Sequence, residues 1–208
     1  MIAIIDYGMG NVGSIANMLK KIGKEAIVTS DPGRINEATK LILPGVGAFD
    51  YGMENLMSRG FVKLLNEKVL AQKTPILGIC LGMQLFSKRS EEGQLDGLGW
   101  IRATTERFQF PSHTNAPKVP HMGWNTISLM KESVLFDDMY PEPRFYFVHS
   151  YYVRCQDDDD VLSMTTHGCR FASALEKGNI AGVQFHPEKS HKFGMKILQN
   201  FADKFNNA

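Results

Sequence analysis

One cysteine of this chain stands where a buried strand would turn sharply into a helix. Cys80 ends the apolar run 75–79 and is flanked by Gly78 and Gly82. A nucleophile at such an elbow needs a strained backbone and close approach on both sides, which glycine permits. The helix that follows would aim its first amides at the sulfur and favour the thiolate. The pattern predicts a nucleophile, with a buried structural cysteine as the alternative.

A candidate base and its partner lie in the second half of the chain. An apolar run there ends in His186-Pro187-Glu188. Proline favours an extended backbone at the residue before it, and in an extended segment residues two apart project to the same side. Taken singly, His186 fits a strand-end histidine and Glu188 a surface acid. Together with Cys80 they predict a nucleophile, a base and an acid that orients the base.

These motifs resemble those of the class I (triad) glutamine amidotransferases, and within that family the glutaminase subunits of imidazole glycerol phosphate synthase. The resemblance covers the chain from end to end, with its motifs in order. The segments that carry it are DYGMGN at 6–11, LPGVGAF at 43–49, GICLG at 78–82, PHMGWN at 120–125, FVHSYY at 147–152 and HPEKS at 186–190.

The resemblance implies an activity and a partner. Cys80, His186 and Glu188 would hydrolyse L-glutamine through a γ-glutamyl thioester, with no metal and no organic cofactor. The ammonia would pass into a cyclase subunit of (β/α)8-barrel fold, the other half of a heterodimer. That subunit would make imidazole glycerol phosphate, for histidine synthesis, and an aminoimidazole carboxamide ribotide.

Attack of a thiolate on an amide creates an oxyanion, which needs preorganised N–H donors. The glycines of the segment 44–47 would let the backbone aim or flip an amide at that oxygen. The amide of Leu81 is a natural second donor, since it follows the nucleophile. The resemblance places the oxyanion strand at Gly45, Val46 and Gly47 and makes its active orientation depend on the partner. The alternative is an ordinary strand-to-helix turn.

Further site residues follow from position and from the resemblance. Gln84 lies one helical turn after Cys80, so its amide can reach the same pocket. The resemblance implies substrate contacts at Gln84 and along the backbone of Ser150 and Tyr151. It also assigns the partner interface and the ammonia passage to a set that includes Asn11, Met122, Trp124 and Lys189. A surface position for Gln84 and a core position for Trp124 are the alternatives.

A competing interpretation begins at residues 8–13, which fit G-x-G-x-x-G after a strand, with Asp31 near the end of the next strand. That is the dinucleotide-binding fingerprint, which favours a nicotinamide or flavin site. In the resembled family the same loop is part of the face that docks on the cyclase. We therefore expect no such cofactor.

Three other hypotheses remain open. The chain could serve a paralogous synthase, such as one that aminates a sugar for surface polysaccharide, because the partner chooses the acceptor. It could be an interaction subunit with a vestigial triad, or a cysteine peptidase of similar fold. Replacement of Cys80 by alanine separates the enzymatic hypotheses from the vestigial one.

Composition sets broader limits. A chain of 208 residues, 43% of them hydrophobic, can bury one substantial core, so we expect a single domain over 1–208. A formal net charge of +1 and the lack of a basic stripe argue against nucleic-acid binding. Three cysteines, with Cys155 and Cys169 expected to be buried thiols, argue for a reducing compartment. No apolar run reaches membrane-spanning length, so we expect a cytoplasmic protein.

The elements that would position these residues follow from hydrophobic periodicity. In the first half, short apolar runs alternate with helical patterns, which is typical of parallel strands joined by helices. The second half, 100–183, is rich in aromatic and β-branched runs and predicts antiparallel strands. The resemblance implies the same class, an α/β fold with a mostly parallel, flavodoxin-like sheet flanked by helices and antiparallel additions in the second half. We expect strands at 2–5, 25–29, 41–43 and 76–79, helices at 12–22, 61–70, 81–86 and 190–205, and a solvated turn at 157–160.

Overall fold

The structure is a computed structural model that describes residues 1–111 and 117–206. In chain order its strands and α-helices are β1 (Ile2–Ile5), α1 (Val12–Lys21), β2 (Ala26–Thr29), α2 (Pro32–Glu37), β3 (Lys40–Gly45), α3 (Phe49–Ser58), α4 (Phe61–Asn66), β4 (Ile76–Cys80), α5 (Leu81–Gln84), β5 (Ala103–Arg107), β6 (His121–Thr126), β7 (Ser128–Leu129), β8 (Arg144–His149), β9 (Tyr151–Cys155), β10 (Val161–His167), β11 (Cys169–Lys177), β12 (Ile180–Val183) and α6 (His191–Asp203).

The central sheet is parallel in its first half and antiparallel in its second. Strands β2, β1, β3, β4 and β12 lie side by side in that order and run parallel. This is the flavodoxin-like order, with β12 as the fifth strand. Strands β11, β10 and β7 continue the sheet antiparallel, β9 and β5 branch from β11, and β6 pairs with β8 in a separate ribbon. The predicted fold class is confirmed.

Helices cover both faces of the parallel strands. Along β1, Ile2 and Ile4 enter one apolar cluster, while Ala3 and Ile5 enter the other. The first cluster includes buried side chains of α1 and α6, and the second includes those of α2, α3 and α4. A strand buried on both faces reads as a continuous apolar run, as β1 does. Within the described residues, no helix is long and apolar enough to cross a membrane.

Two helices were not predicted. The first, α2, begins after Asp31, whose Oδ1 accepts a hydrogen bond from Gly33 N at 2.8 Å, and has Pro32 in its first turn. These are recognisable helix-start signals. The start of α3 has no local side-chain cap, and Glu92, far along the chain, accepts from Phe49 N at 2.9 Å. A cap supplied by tertiary contact leaves no local pattern in the sequence.

Five expectations need correction. Strand β12, which falls in the segment 100–183 expected to be antiparallel, runs parallel to β4. The helix expected at 81–86 is the single turn α5, so its dipole is smaller than that of a long helix. The helix expected at 61–70 is α4 followed by a π-helical turn at Glu67–Ala71. The turn at 157–160 is not wholly solvated, because Asp160 is buried and pairs with Lys177 at 3.3 Å. Cys155 and Cys169 are half-buried rather than buried.

Candidate active site

The predicted elbow is present at Cys80. Cys80 is the last residue of β4, has a left-handed φ of +55° and is 6% exposed. A Cβ at Gly82 would overlap the carbonyl oxygen of Leu43 on β3, and one at Gly78 would lie 2.6 Å from the Phe86 ring. The two glycines therefore allow the backbone on either side of Cys80 to pack directly against β3 and Phe86. This packing holds the sulfur at the carboxyl end of the parallel strands.

The predicted base and acid meet at the end of β12. His186 Nδ1 lies 2.9 Å from Glu188 Oε1, with only 2% and 1% of the two side chains exposed. The pairing is right, but its predicted geometry is wrong. His186 is extended, whereas Pro187–Lys189 forms one turn of 3-10 helix. The turn is held where Ser190 Oγ donates to the His186 carbonyl at 2.6 Å.

The surroundings of His186 favour its charged form. Burial acts to lower its pKa, but the negative charges of an ionised Cys80 sulfur and of the Glu188 carboxylate together outweigh burial and raise the pKa. Since Glu188 accepts from Nδ1, the other nitrogen, Nε2, is the one available to Cys80. Among the described residues Nε2 has no well-formed hydrogen-bond partner, yet the Cys80 sulfur is near enough to raise the pKa of the ring.

Two buried glutamines link the nucleophile to β9. Gln84 Nε2 donates to the Tyr151 carbonyl and to Gln184 Oε1, both at 3.0 Å. Gln184 Nε2 in turn lies 3.6 Å from Cys80 Sγ. Gln184 was not among the predicted site residues. Its signal was the alternation of a strand, which places residue 184 on the same side as His186.

A cavity of about 390 Å³ opens beside Cys80, and seven of the predicted site residues line it, whereas Gly45, His186 and Glu188 do not. A larger cleft of about 590 Å³ lies along α3 and α4, away from Cys80. The residues that line the smaller cavity are Val46, Gly47, Cys80, Leu81, Gln84, Glu92, Pro120, Val148, His149, Ser150 and Tyr151. The alternative positions considered for two residues are not the ones observed. Gln84 is buried instead of lying on the surface, and Trp124 is 45% exposed instead of lying in the core.

Glu92 is a second site residue that was not predicted. Glu92 is one of the residues that line the cavity, and its carboxylate accepts a hydrogen bond from the Phe49 amide. Burial raises its pKa and nearby Asp50 adds to the rise, while the hydrogen bond from Phe49 acts against both. No motif marks this glutamate, because it lies in an irregular segment that the fold brings to the cavity.

The backbone of Ser150 and Tyr151 is partly committed to the protein itself. The Ser150 carbonyl accepts from Phe108 N at 3.0 Å. The Tyr151 carbonyl accepts from Gln84 and also lies 2.8 Å from His149 Nδ1. The Tyr151 carbonyl therefore has both lone pairs engaged, whereas the Ser150 carbonyl accepts one hydrogen bond and can accept another.

The segment predicted to hold the oxyanion lies directly beside the elbow. Gly45 pairs with Cys80 in the sheet, and a Cβ there would lie 2.7 Å from Tyr7 Oη and 2.8 Å from the Leu81 Cβ. Val46 is 44% exposed. Gly47 has a left-handed φ of +117°, which glycine adopts readily.

The predicted interface residues are all exposed, and several lie together. Met122 is 63% exposed and stands two residues before Trp124 on β6. The Trp124 ring stacks on His191 at 5.4 Å, and Lys189 Nζ lies 5.6 Å from the centre of the neighbouring Tyr146 ring. Asn11 is exposed immediately before α1, and α1 packs against the turn that carries Lys189.

The dinucleotide interpretation does not fit the local structure. In the fingerprint the third glycine allows close packing of helix on strand, but a Cβ at Gly13 would meet nothing within 4 Å. Asp31 caps α2 instead of facing the loop. Gly10, with φ +89°, is packed against Pro44, so the loop supports the oxyanion segment.

The fold and the site together define a class of protein. The sequence matches the family described as glutamine amidotransferase class-I over residues 3–205, and the chain belongs to that family. Solved structures share the fold: a putative GMP synthase protein from Thermoplasma acidophilum matches with a TM-score of 0.70 at 20% identity, covering 97% of this chain and 91% of the other. PurLQS from Thermotoga maritima matches with a TM-score of 0.69 at 17% identity, covering 96% of each chain.

Curated relatives with higher sequence identity belong to one particular synthase. The chain is 58% identical to "Imidazole glycerol phosphate synthase subunit HisH 2" of Methanococcus maripaludis, over 97% of this chain and 98% of that protein. It is 47% identical to the protein of the same name from Pseudomonas aeruginosa, over 98% of this chain and 99% of that one. A subunit HisH from Leptospira interrogans is 41% identical, over 97% and 99%.

Proposed function

We propose that this chain is the glutaminase subunit of an imidazole glycerol phosphate synthase, acting as one glutamine amidotransferase domain in the cytoplasm. The observation that carries the proposal is the strained Cys80, which lines the cavity and also acts on the buried His186 that Glu188 orients. Relatives at 41–58% identity over nearly their whole length support the choice of synthase.

The first half of the reaction forms a thioester. The Cys80 thiolate attacks the carboxamide carbon of L-glutamine, and the amide N–H of Leu81 with one from Gly45 to Gly47 holds the oxyanion. His186, protonated at Nε2, gives that proton to the departing nitrogen, so ammonia leaves and the C–N bond breaks. The γ-glutamyl group remains on the sulfur.

The second half releases glutamate. Neutral His186 takes a proton from a water molecule, whose oxygen attacks the thioester carbon. The C–S bond then breaks, the sulfur keeps the electron pair, and His186 is again protonated. Glu188 holds the imidazole ring in place and stabilises its charged form in both halves. The raised pKa of His186 is consistent with this pairing.

The cavity suits the two charged ends of a free amino acid. The Glu92 carboxylate is placed to accept from an α-ammonium group. Because an α-carboxylate can only accept hydrogen bonds, we assign the backbone N–H groups of Ser150 and Tyr151 to it. Both hydrogens of the Gln84 amide are used within the protein, so Gln84 offers its oxygen to the substrate.

We further propose that the exposed cluster of Asn11, Met122, Trp124 and Lys189 docks on a cyclase subunit of (β/α)8-barrel fold. Exposed apolar side chains such as Met122 and Trp124 mark protein interaction sites, and Trp and Met are enriched in interfaces. The ammonia would cross this surface into the partner, close to the turn that carries Lys189.

The decisive experiment measures glutamate release from L-glutamine by the purified chain, with and without the imidazole glycerol phosphate synthase cyclase and its nucleotide ligand. We expect activity that requires the cyclase and disappears in Cys80→Ala. Cys169→Ala is the matched control, since this half-buried cysteine lies outside the site and its loss should leave the rate unchanged.

Each other outcome points elsewhere. Activity that needs Cys80 but is indifferent to this cyclase would favour a paralogous synthase. Absence of glutamate release under every condition would favour a vestigial site and would overturn the proposal.

A further inference from the structure

The amide of Gln184 touches the reactive sulfur, and no other role in the site explains it. Gln184 is fully buried at the end of β12, where its backbone N–H donates to the Ser173 carbonyl at 2.9 Å. Its Nε2 lies 3.6 Å from Cys80 Sγ, a distance within reach of an N–H···S hydrogen bond. The contact places a neutral hydrogen-bond donor against the nucleophile.

The orientation of that amide is dictated by the atoms behind it. The Tyr151 carbonyl can only accept, so Gln84 must turn its NH2 group toward it. The same NH2 group reaches Gln184, which must therefore present its oxygen to Gln84. The remaining end of Gln184, its NH2, is left facing the sulfur. Reversing either amide would place two donors or two acceptors against each other, at a cost of about 1–3 kcal/mol for a buried group.

The Tyr151 carbonyl, which sets the orientation of the two glutamine amides, is itself held in place. The Tyr151 carbonyl also accepts from His149 Nδ1 at 2.8 Å, so it is occupied on two sides. His149 Nε2 then accepts from His121 Nδ1 at 3.0 Å, and Asn125 Nδ2 lies 3.1 Å from His121 Nε2. A continuous row of hydrogen bonds thus runs from β6 to the sulfur.

We propose that Gln184 is a further catalytic residue, which donates a hydrogen bond to the Cys80 thiolate, and that Gln84 positions it. The inference rests on the proposed function, because it concerns the nucleophile of that reaction. A donor at the sulfur stabilises the thiolate before attack. It stabilises the same thiolate again when the C–S bond of the thioester breaks and the sulfur takes the electron pair.

Other groups also act on the thiolate, and the test must separate them from Gln184. His186 and Glu188 approach from the segment after β12, Tyr7 from the end of β1, and Glu92 from across the cavity. None of these side chains hydrogen-bonds to Gln184 within the described part of the chain, so a change at residue 184 leaves their contacts in place.

The test is the rate of Cys80 alkylation by iodoacetamide between about pH 5 and 10, which needs neither glutamine nor a partner. Gln184→Met keeps the length of the side chain and removes the donor. We expect its alkylation rate at about pH 7 to fall roughly fivefold or more, with the midpoint of the pH profile moved upward. Gln84→Met should give a smaller change in the same direction. Gln156→Met, the same replacement on the surface, should match the unmodified chain.

The background from the other thiols is small and measurable. Burial raises the pKa of Cys155 to about 12, with nearby aspartates adding to it, and burial also raises the pKa of Cys169. Labelling of the Cys80→Ala variant measures what remains. Coincident profiles for Gln184→Met and the unmodified chain, both folded by circular dichroism, would overturn the proposal even if glutaminase activity is present.

A second measurement leaves Gln184 unchanged and so does not depend on the folding of a variant at that position. In a 15N-labelled chain, one Nε2 proton of Gln184 should shift as Cys80 ionises, and that shift should be absent in Cys80→Ala. A Gln184 amide resonance that ignores the state of Cys80 would show that the contact carries no hydrogen bond, whatever the outcome of the glutamate assay.

Discussion

Two glycine-flanked strand ends meet at the active-site cavity, and they are built in opposite ways. At the elbow, Gly78 and Gly82 are pressed so closely on their neighbours that a single added carbon would collide. At the oxyanion segment, Val46 is 44% exposed and Gly47 has open space except for the end of one methionine side chain. The two regions touch, since Gly45 pairs with Cys80 in the sheet.

The difference separates what must be fixed from what is able to move. A nucleophile has to be held in one orientation, and the close packing around Cys80 over-determines its strained backbone. The oxyanion donors matter only in the transition state, and an exposed segment with a glycine at positive φ can turn a peptide at small cost. The proposed function, in which a partner orients the oxyanion segment, requires such an arrangement.

The largest effect should come from filling the elbow. Gly82→Ala would drive a Cβ into the backbone carbonyl of Leu43, which cannot move aside as a flexible side chain would. We expect a loss of about 3 kcal/mol in the free energy of unfolding, or failure to fold. Urea denaturation measures it. Gly13→Ala is the control, since a Cβ there meets nothing within 4 Å and the variant should be as stable as the original or slightly more so. Equal stability of the two variants would mean that the elbow is not tightly held.

The two buried histidines His121 and His149 should make the folded protein less stable in acid. Burial, the first cause in each case, lowers the pKa of His121 to about 4 and that of His149 to about 3. Between these values and about 6.5 the unfolded chain binds more protons than the folded one, so stability falls as the pH falls. Each histidine contributes at most about 1.4 kcal/mol per pH unit in that window.

Urea denaturation at about pH 7, 6 and 5 measures this dependence. His186, whose pKa is raised, acts in the opposite sense, and its contribution is fully present below about pH 6.5, so it does not mask the fall. His121→Asn should flatten the profile, whereas His191→Asn, at an exposed histidine, should keep it. A flat profile in the unmodified chain would contradict the assignment of neutral histidines.

A change at the oxyanion segment should affect activity more than stability. Gly47→Ala places a side chain on a backbone with φ +117°, which costs about 1–2 kcal/mol. We expect the rate of glutamate release in the presence of the partner to fall roughly tenfold or more, because the donor is misdirected. Gly178→Ala also places a side chain at positive φ, +55°, in a turn far from the cavity. If both variants lose stability alike and neither loses activity, the segment has no catalytic role.

The smallest effect should come from removal of the Tyr7 hydroxyl, which lies between the elbow and the oxyanion segment. Tyr7 Oη is buried beside Gly45 and has no hydrogen-bond partner among the described residues. Burial, and secondarily Cys80, raise its pKa, so it stays neutral. Tyr7→Phe should therefore keep or gain stability, by up to about 1 kcal/mol, since an unpaired buried hydroxyl is costly. Tyr152→Phe removes a hydroxyl that lies 3.4 Å from Glu106 and should gain nothing. Thermal melting of both variants measures these changes in stability. A clearly lower melting temperature for Tyr7→Phe would show that the Tyr7 hydroxyl has a hydrogen-bond partner.

The order of residues along the chain was enough to predict several side chains that the fold brings close to Cys80. Each of these features depends on residues that are neighbours in the sequence, so a short motif is enough to predict it. They are Cys80 between glycines, the His186–Glu188 pair and the glycines at 45 and 47. The parallel strands of the first half were also predictable, because a strand buried on both faces must be apolar throughout, as β1 and β4 are and β3 nearly is. The parallel pairing of β12 with β4 was not predicted, since it depends on which strand lies beside it in the sheet.

Which distant groups complete the site was settled by the folded arrangement alone. Glu92 reaches the cavity from an irregular segment and caps α3 on the way, and Gln184 meets Cys80 because β12 lies beside β4. The geometry of the His186 and Glu188 pairing, a 3-10 turn in place of an extended segment, was also settled there. Such contacts join residues remote in the chain, and a hydrogen bond between them depends on sheet order and packing, which no run of neighbouring residues specifies.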